Sequence, residues 1–270
     1  MNELRFTKMH GIGNDYIYFI SMPCAPEKLP ELSRRLSDRH RSIGGDGIIL
    51  VLPSDKADFQ MRIFNADGSE ARMCGNGSRC VGKLVYDSHL TSKREITLET
   101  LSGIKHLTLH PGSDGKIDTV TVNMGHVKVF PAVKLETSAG ELEVLPVDIG
   151  NPHGVVFIDC DPDEFDVHGI GAELENHPYW PDRANIEFVQ VKAPGHLKMR
   201  VWERGSGETM ACGTGACAVA SAAWFSGRSG SESRVSLPGG DLEIKILPDA
   251  TVLMTGGAST AFHGRIELEI

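Results

Sequence analysis

The sequence predicts an α/β protein of the α+β type: two pseudo-symmetric domains from an internal duplication, each a mixed sheet curled around a central helix. Three observations carry this prediction. First, the segment Gly68-Ser69-Glu70-Ala71-Arg72-Met73-Cys74-Gly75-Asn76-Gly77 returns as Ser206-Gly207-Glu208-Thr209-Met210-Ala211-Cys212-Gly213-Thr214-Gly215. Its Glu, Cys, Gly and Gly recur in register, with the cysteines at positions 74 and 212. Second, Gly13-Asn14 followed by the apolar Ile17–Ile20 returns as Gly150-Asn151 followed by Gly154–Ile158, at nearly the same offset, close to half of 270 residues. Third, each cysteine motif opens a helical stretch set among strands of period-2 alternation.

The elements follow in order. Alternation predicts strands at about 4–9, 15–20, 47–52, 59–64, 96–101, 104–110 and 118–124 in the first half. In the second half it predicts strands at about 142–149, 154–158, 185–191, 197–203, 242–247, 251–255 and 265–270. Leu29, Leu32 and Leu36 stand at helical spacing within 27–37, and a second amphipathic helix fits about 162–175. The helices after the cysteines cover about 76–88 and 214–226. The latter runs Ala216-Cys217-Ala218-Val219-Ala220-Ser221-Ala222-Ala223-Trp224-Phe225, without a charge on any face, and a helix apolar all round is a buried one. Gly227 stops it. The halves join near 120–126 with no Pro- or Ser-rich linker. This divides the chain into 1–122 (with about 258–270), carrying Cys74, and 123–257, carrying Cys212, with the active site expected in the cleft between them. By pattern alone the last strand fits either half.

Composition narrows the function. The net charge is −9, with 40% hydrophobic, 23% charged and 6% aromatic residues, which is ordinary globular usage and excludes a disordered chain. A chain this acidic offers no footprint for nucleic acid or an anionic membrane surface. Apolar runs such as Ala216–Ala220 fall far short of the roughly 20 residues that span a bilayer. Glu3 stands where a secretion signal would begin its apolar run, so the expectation is a cytoplasmic protein with reduced thiols.

The chemistry centres on the cysteine motifs. In each, the cysteine precedes Gly-x-Gly at the mouth of a buried helix, where the first N–H groups are unpaired and attract anions. The same partial positive charge favours thiolate over thiol, below the free value of about 8.5. Two such thiols facing each other suit the inversion of a stereocentre beside a carboxylate. One thiolate removes the α-proton while the opposite thiol delivers another, and helix N–H donors stabilise the developing charge. No pyridoxal cofactor is required.

Further stretches extend the pattern: Lys8-Met9-His10-Gly11-Ile12-Gly13-Asn14-Asp15, Phe64-Asn65-Ala66-Asp67-Gly68-Ser69-Glu70, Gly150-Asn151-Pro152-His153, Ala184-Asn185-Ile186 and Glu203-Arg204-Gly205-Ser206-Gly207-Glu208-Thr209. Together with the cysteine motifs they span nearly the whole chain, and the sequence resembles the diaminopimelate epimerase family. The cysteine motifs alone would reach only the wider group that includes proline racemase. The resemblance implies cofactor-independent interconversion of LL- and meso-diaminopimelate, in lysine and peptidoglycan synthesis, with no metal. It implies Cys74 and Cys212 as the acid/base pair, and substrate contacts at Asn14, Asn65, Gly75, Asn76, Asn151, Asn185, Glu203, Arg204, Gly213 and Thr214. His153 and Glu203 would tune the thiols. It implies a homodimer with Phe262 in the interface. Where some members have Gln after the Asp of this segment, the chain has Gly47 in Gly44-Gly45-Asp46-Gly47, so backbone or water must replace a side-chain contact.

Plainer readings suit the remaining groups. Cys80 and Cys217 lie about 240° and 140° further round their helices than Cys74 and Cys212, so they read as core. Cys24 and Cys160 receive no role. The histidines lack ligand spacing, and His106 and His110 share a solvated strand face. A racemase for another amino acid, such as proline or hydroxyproline, is the enzymatic alternative. A thiol redox or metal-storage protein would require Cys-x-x-Cys spacing, which the sequence lacks.

Overall fold

The computed structural model describes residues 2–268, which divide into two compact units, 2–122 with 256–268, and Asn123–Thr255. In the first unit β1 (Asn2–Gly11) turns through Ile12 and Gly13, both at positive φ, into the antiparallel β2 (Asn14–Phe19). A helix, α1 (Leu29–Ser37), carries the chain to β3 (Gly47–Leu52), parallel to β2. Next come β4 (Phe59–Asn65), antiparallel to β3, and the short β5 (Glu70–Ala71). The second helix, α2 (Gly75–Asp87), crosses to β6 (Glu95–Thr100), parallel to β4. Antiparallel β7 (Gly103–Pro111) and β8 (Ile117–His126) follow.

The second unit repeats the plan. After β9 (Lys128–Val129) and β10 (Val133–Thr137), β11 (Gly140–Asp148) pairs antiparallel with β12 (Pro152–Phe157). Helix α3 (Val167–Glu175) leads to β13 (Asn185–Ala193), parallel to β12. Then come β14 (His196–Glu203), the short β15 (Gly207–Glu208), α4 (Gly213–Phe225) and β16 (Glu232–Leu237), parallel to β14. Antiparallel β17 (Gly240–Ile246) and β18 (Thr251–Gly257) complete it. The final strand, β19 (Ser259–Leu268), pairs antiparallel with β1 and so belongs to the first unit. The duplication extends to register: Ile17 faces Ile48 where Gly154 faces Ile186, and Phe59 faces Leu98 where Leu197 faces Val235.

Two-sided burial explains the strand sequences. Leu29, Leu32 and Leu36 of α1 pack with Ile17, Phe19, Ile48 and Leu50 on one face of the first sheet. Val167, Ile170 and Leu174 of α3 pack with Val156, Ile186 and Phe188 on the corresponding face of the second. Alternate residues turn to the other face, which α2 or α4 covers. Strands buried on both faces read as nearly continuous apolar runs, as in Gly47–Leu52. Helix α4 contacts strands from β9 to β17, so the second sheet curls around it, and its Ala-rich surface permits that close approach.

The structure departs from the sequence expectations in a few places. The stretch 162–175 is broken: Pro162–Glu164 is a 3₁₀ turn, Phe165 is extended, and Asp166 caps α3 by accepting the Gly169 N–H at 2.8 Å. Strands β10 and β16 escape the pattern because they bury few large apolar side chains. Among the described residues no helix is long and apolar enough to cross a membrane.

Both central helices end in the same hydrogen-bonded loop. The Gly227 N–H donates to the Trp224 carbonyl at 3.1 Å and the Arg228 N–H to Ala223 at 2.8 Å, with Gly227 at φ +72°. At the end of α2, His89 donates to Tyr86 at 2.9 Å and Leu90 to Val85 at 2.9 Å, with the exposed His89 at φ +58°. A side chain in this left-handed conformation costs about 1 kcal/mol relative to glycine. Thermal unfolding checks this: Gly227→Ala lowers the melting temperature by about 2–4 °C, and His89→Gly raises it by a similar or smaller amount.

Candidate active site

Each candidate thiol caps the helix it precedes. Cys74 is extended (φ −139°, ψ 116°), and its sulfur accepts the Gly77 N–H, the third of α2, at 3.2 Å. Cys212 repeats this at φ −118°, ψ 108°, with the Gly215 N–H at 3.3 Å. Sulfur thus takes the role that a Ser or Asp oxygen usually fills. The second glycine of each motif is sterically required. A Cβ at Gly77 would lie 2.6 Å from Ile49 Cδ1, and one at Gly215 would lie 2.7 Å from Glu187 Oε1. Both third-position glycines also sit against their cysteine sulfurs.

Around Cys74 the thiol donates to Asn14 Oδ1 at 3.4 Å. The other end of that amide is fixed, because Asn14 Nδ2 donates to Asp46 Oδ2 at 2.7 Å. The same carboxylate oxygen accepts the Asp15 N–H at 3.0 Å. Arg39 spans Asp15 Oδ1 at 2.6 Å and Asp46 Oδ1 at 3.0 Å, and Lys8 pairs with Asp15 at 2.5 Å. Burial pushes the Asp15 carboxyl up, but hydrogen bonds and charge from Arg39 and Lys8 outweigh it and hold the group below its ordinary range. At Gly47 a Cβ would stand 2.1 Å from the Phe64 carbonyl oxygen, so this backbone admits no side chain there. Gly75 and the buried Asn76 form the first turn of α2. Asn65 ends β4, with its amide donating to Ser69 Oγ at 3.1 Å. Cys80 is buried core, its thiol pushed up to about 11 by burial.

The surroundings of Cys212 are more highly charged. Its sulfur lies 3.5 Å from Thr214 Oγ1 and hydrogen-bonds the Glu203 carboxyl, which also receives the Thr209 hydroxyl. Asn151 Oδ1 meets His153 Nε2 at 3.1 Å, and His153 Nδ1 meets Glu187 Oε1 at 2.7 Å. Both His153 and Glu187 are wholly inaccessible to solvent. Asn185 accepts the Arg204 N–H at 3.0 Å and donates to the Pro152 carbonyl at 3.1 Å. The exposed Arg204 guanidinium rests on the Asp182 carbonyl at 3.0 Å. Gly213 opens α4.

The electrostatics correct one expectation. A helix N-terminus by itself favours thiolate, yet burial pushes the Cys212 thiol well above its ordinary value, reinforced by the charges of Glu203 and Glu187. Burial also raises the Glu203 carboxyl, against the opposing hydrogen bonds from Thr209 and Cys212. Desolvation and two carboxylates outweigh a macrodipole effect of at most a couple of kcal/mol.

Within the first unit the structure joins Asn14 to Cys74. Within the second it joins Asn151 to His153, Asn185 to Arg204, and Glu203 and Thr214 to Cys212. Among the residues of these networks that were not singled out from sequence are Asp46 and Glu187. Their signals were a carboxylate amid the glycines of Gly44–Gly47 and a glutamate inside the apolar strand at 185–191.

Comparison with known proteins places this architecture. The family model for diaminopimelate epimerase matches residues 6–130 and 146–261. The diaminopimelate epimerase of Phocaeicola vulgatus is 49% identical over 278 residues, covering 98% of this chain and 99% of that protein. Among solved structures, a PhzF-family phenazine biosynthesis protein from Bacillus anthracis superposes with a TM-score of 0.80 at 15% identity, covering 99% of this chain and all of that one. A hydroxyproline epimerase from Agrobacterium vitis follows at 0.76 and 18%, covering 98% and 92%, and at these identities both show a shared fold. The family model spans most of the chain and the bacterial relative matches it end to end, so the chain belongs to the diaminopimelate epimerase family of isomerases.

Proposed function

We propose that this protein epimerises LL-2,6-diaminopimelate to the meso isomer in lysine and peptidoglycan synthesis, using Cys74 and Cys212 as a two-base pair without a cofactor. The observation that carries this reading is the matched pair of cysteine caps, each at the N-terminus of a central helix, in a chain of this family. In the proposed reaction one thiolate takes the α-proton, forming S–H as C–H breaks. The electron pair passes into the substrate carboxylate, and the opposite thiol returns a proton to the other face. The thiol and thiolate exchange identities, so no net proton is consumed. Backbone N–H groups in the first turns of α2 and α4 supply preorganised donors for the carboxylate charge.

On this reading the substrate occupies a cleft between the halves 1–122 (with about 258–270) and 123–257. Its contacts are Asn14, Asn65, Gly75, Asn76, Asn151, Asn185, Glu203, Arg204, Gly213 and Thr214. Asn side chains bind ammonium and carboxylate groups without adding charge, and Arg204 takes the distal carboxylate in a bidentate fork. His153 and Glu203 tune the Cys212 side. The protein works in the cytoplasm as a homodimer with Phe262, half exposed and edge-on to Phe6, in the interface.

Mass spectrometry in heavy water tests the reaction. Diaminopimelate gains deuterium at Cα without added pyridoxal phosphate, whereas exchange on proline or hydroxyproline alone would favour the related racemase. Cys74→Ala and Cys212→Ala each abolish epimerisation with an unchanged circular dichroism spectrum, and full activity in either variant would refute the two-base assignment. Asp46 acts through Asn14, whose amide it orients. Losing a charge-assisted bond worth about 1.5–3 kcal/mol lowers kcat by roughly ten- to a hundredfold in Asp46→Ala, measured by steady-state kinetics.

A further inference from the structure

The two thiol sites share one plan, so the positions where they differ are informative. Ile49 on β3 and Glu187 on β13 are equivalent. Each lies one residue beyond a matched parallel pair, Ile17–Ile48 in the first unit and Gly154–Ile186 in the second, and each abuts the third residue of its central helix, Gly77 or Gly215. An isoleucine is the inexpensive occupant of a strand covered on both faces. A glutamate there loses its hydration and needs a compensating role. Glu187 recovers one strong bond, Oε1 to His153 Nδ1 at 2.7 Å, while Oε2 is buried with no hydrogen-bond partner among the described residues. The proposed two-thiol reaction makes no direct use of this carboxylate.

The groups facing Cys212 are Glu203 from β14, Glu187 from β13 and the Thr214 hydroxyl and Gly215 N–H of its own helix, with His153 from β12 behind them. Two carboxylates therefore act on this sulfur against a single imidazole. Cys74 instead meets the neutral amide of Asn14 from β2 and the Gly77 N–H, over Ile49, with Tyr18 and Cys80 close by.

We propose that Glu187 is the positioning residue that makes the two thiols unequal: it locks His153 in place and keeps the proton on Cys212 at rest, leaving Cys74 as the resting base. The proposal rests on the two-base reading above and adds the device that prepares the pair as one acid and one base before substrate arrives. Two identical thiols would divide among unproductive states with both protonated or both ionised. A fixed charge under one of them selects the productive combination.

The test is the pH profile of iodoacetamide alkylation on the full-length enzyme without substrate, followed separately at Cys74 and Cys212 by peptide mass spectrometry. The midpoint of each profile reports ionisation independently of access to the sulfur. In the unaltered protein the Cys212 midpoint lies above that of Cys74. Glu187→Gln keeps the size and one acceptor for the imidazole but removes the charge. It lowers the Cys212 midpoint by about one pH unit, so that Cys212 alkylates about tenfold faster well below both midpoints, with the Cys74 profile unmoved. A merely structural residue would shift both profiles or neither. Coincident or reversed midpoints in the unaltered protein overturn the proposal, as does an unmoved Cys212 profile in a folded Glu187→Gln variant. If that variant does not fold, the comparison of midpoints in the unaltered protein decides. Labelling needs no turnover, so a failure of deuterium exchange would sink the epimerase reading without affecting this result.

Discussion

The hydrogen bond from the third N–H of a buried helix to the sulfur of the residue before it is the constraint on which both candidate sites depend. It makes a cysteine serve as helix cap, which fixes the sulfur within the first turn. It also dictates the local sequence. The third helical residue must lack a side chain, because Ile49 or Glu187 already fills that space. The helix behind the cap must be narrow and apolar enough to be enclosed, and the alanines of α4 meet that need. Gly-x-Gly after each cysteine is therefore as much a packing rule as a substrate-binding feature.

Duplication copied this scaffold faithfully, down to strand register and the hydrogen bonds that end the central helices. It did not copy the supporting polar groups. Asn14 is oriented by Asp46, itself tied to Arg39. Asn151 instead meets His153, which is tied to the buried Glu187. Apolar packing tolerates such exchange because it asks only for volume, whereas each polar substitution brings a need for partners. The divergence concentrates where side chains approach the sulfurs.

Charge follows from that divergence. A helix N-terminus favours a thiolate at both sites by similar amounts, since the two helices have equal length and similar caps. Burial opposes it at Cys212, and the Glu203 and Glu187 carboxylates add to the opposition. The local dipole is thus the smaller effect there. Burial strengthens the influence of every neighbouring charge, because little water remains to screen it.

Much of this protein was legible in its sequence. The repeated cysteine motifs located the central helices to within a residue, alternation located most strands, and Leu29, Leu32 and Leu36 marked the face that α1 buries. These signals are local: helical and strand periods, caps and glycine stops act between residues a few positions apart. The short strands β5, β9 and β15 and the break before α3 were not legible, since a two-residue strand is defined by its partner and Asp166 caps only once the chain has turned. Asp46 and Glu187 stood in the sequence as ordinary acids. Only tertiary structure decided that Asp46 holds the Asn14 amide and that Glu187 turns inward beneath Cys212. Strand pairing and the two-residue period set which face a side chain takes, and the charge it meets there belongs to residues far away in the chain.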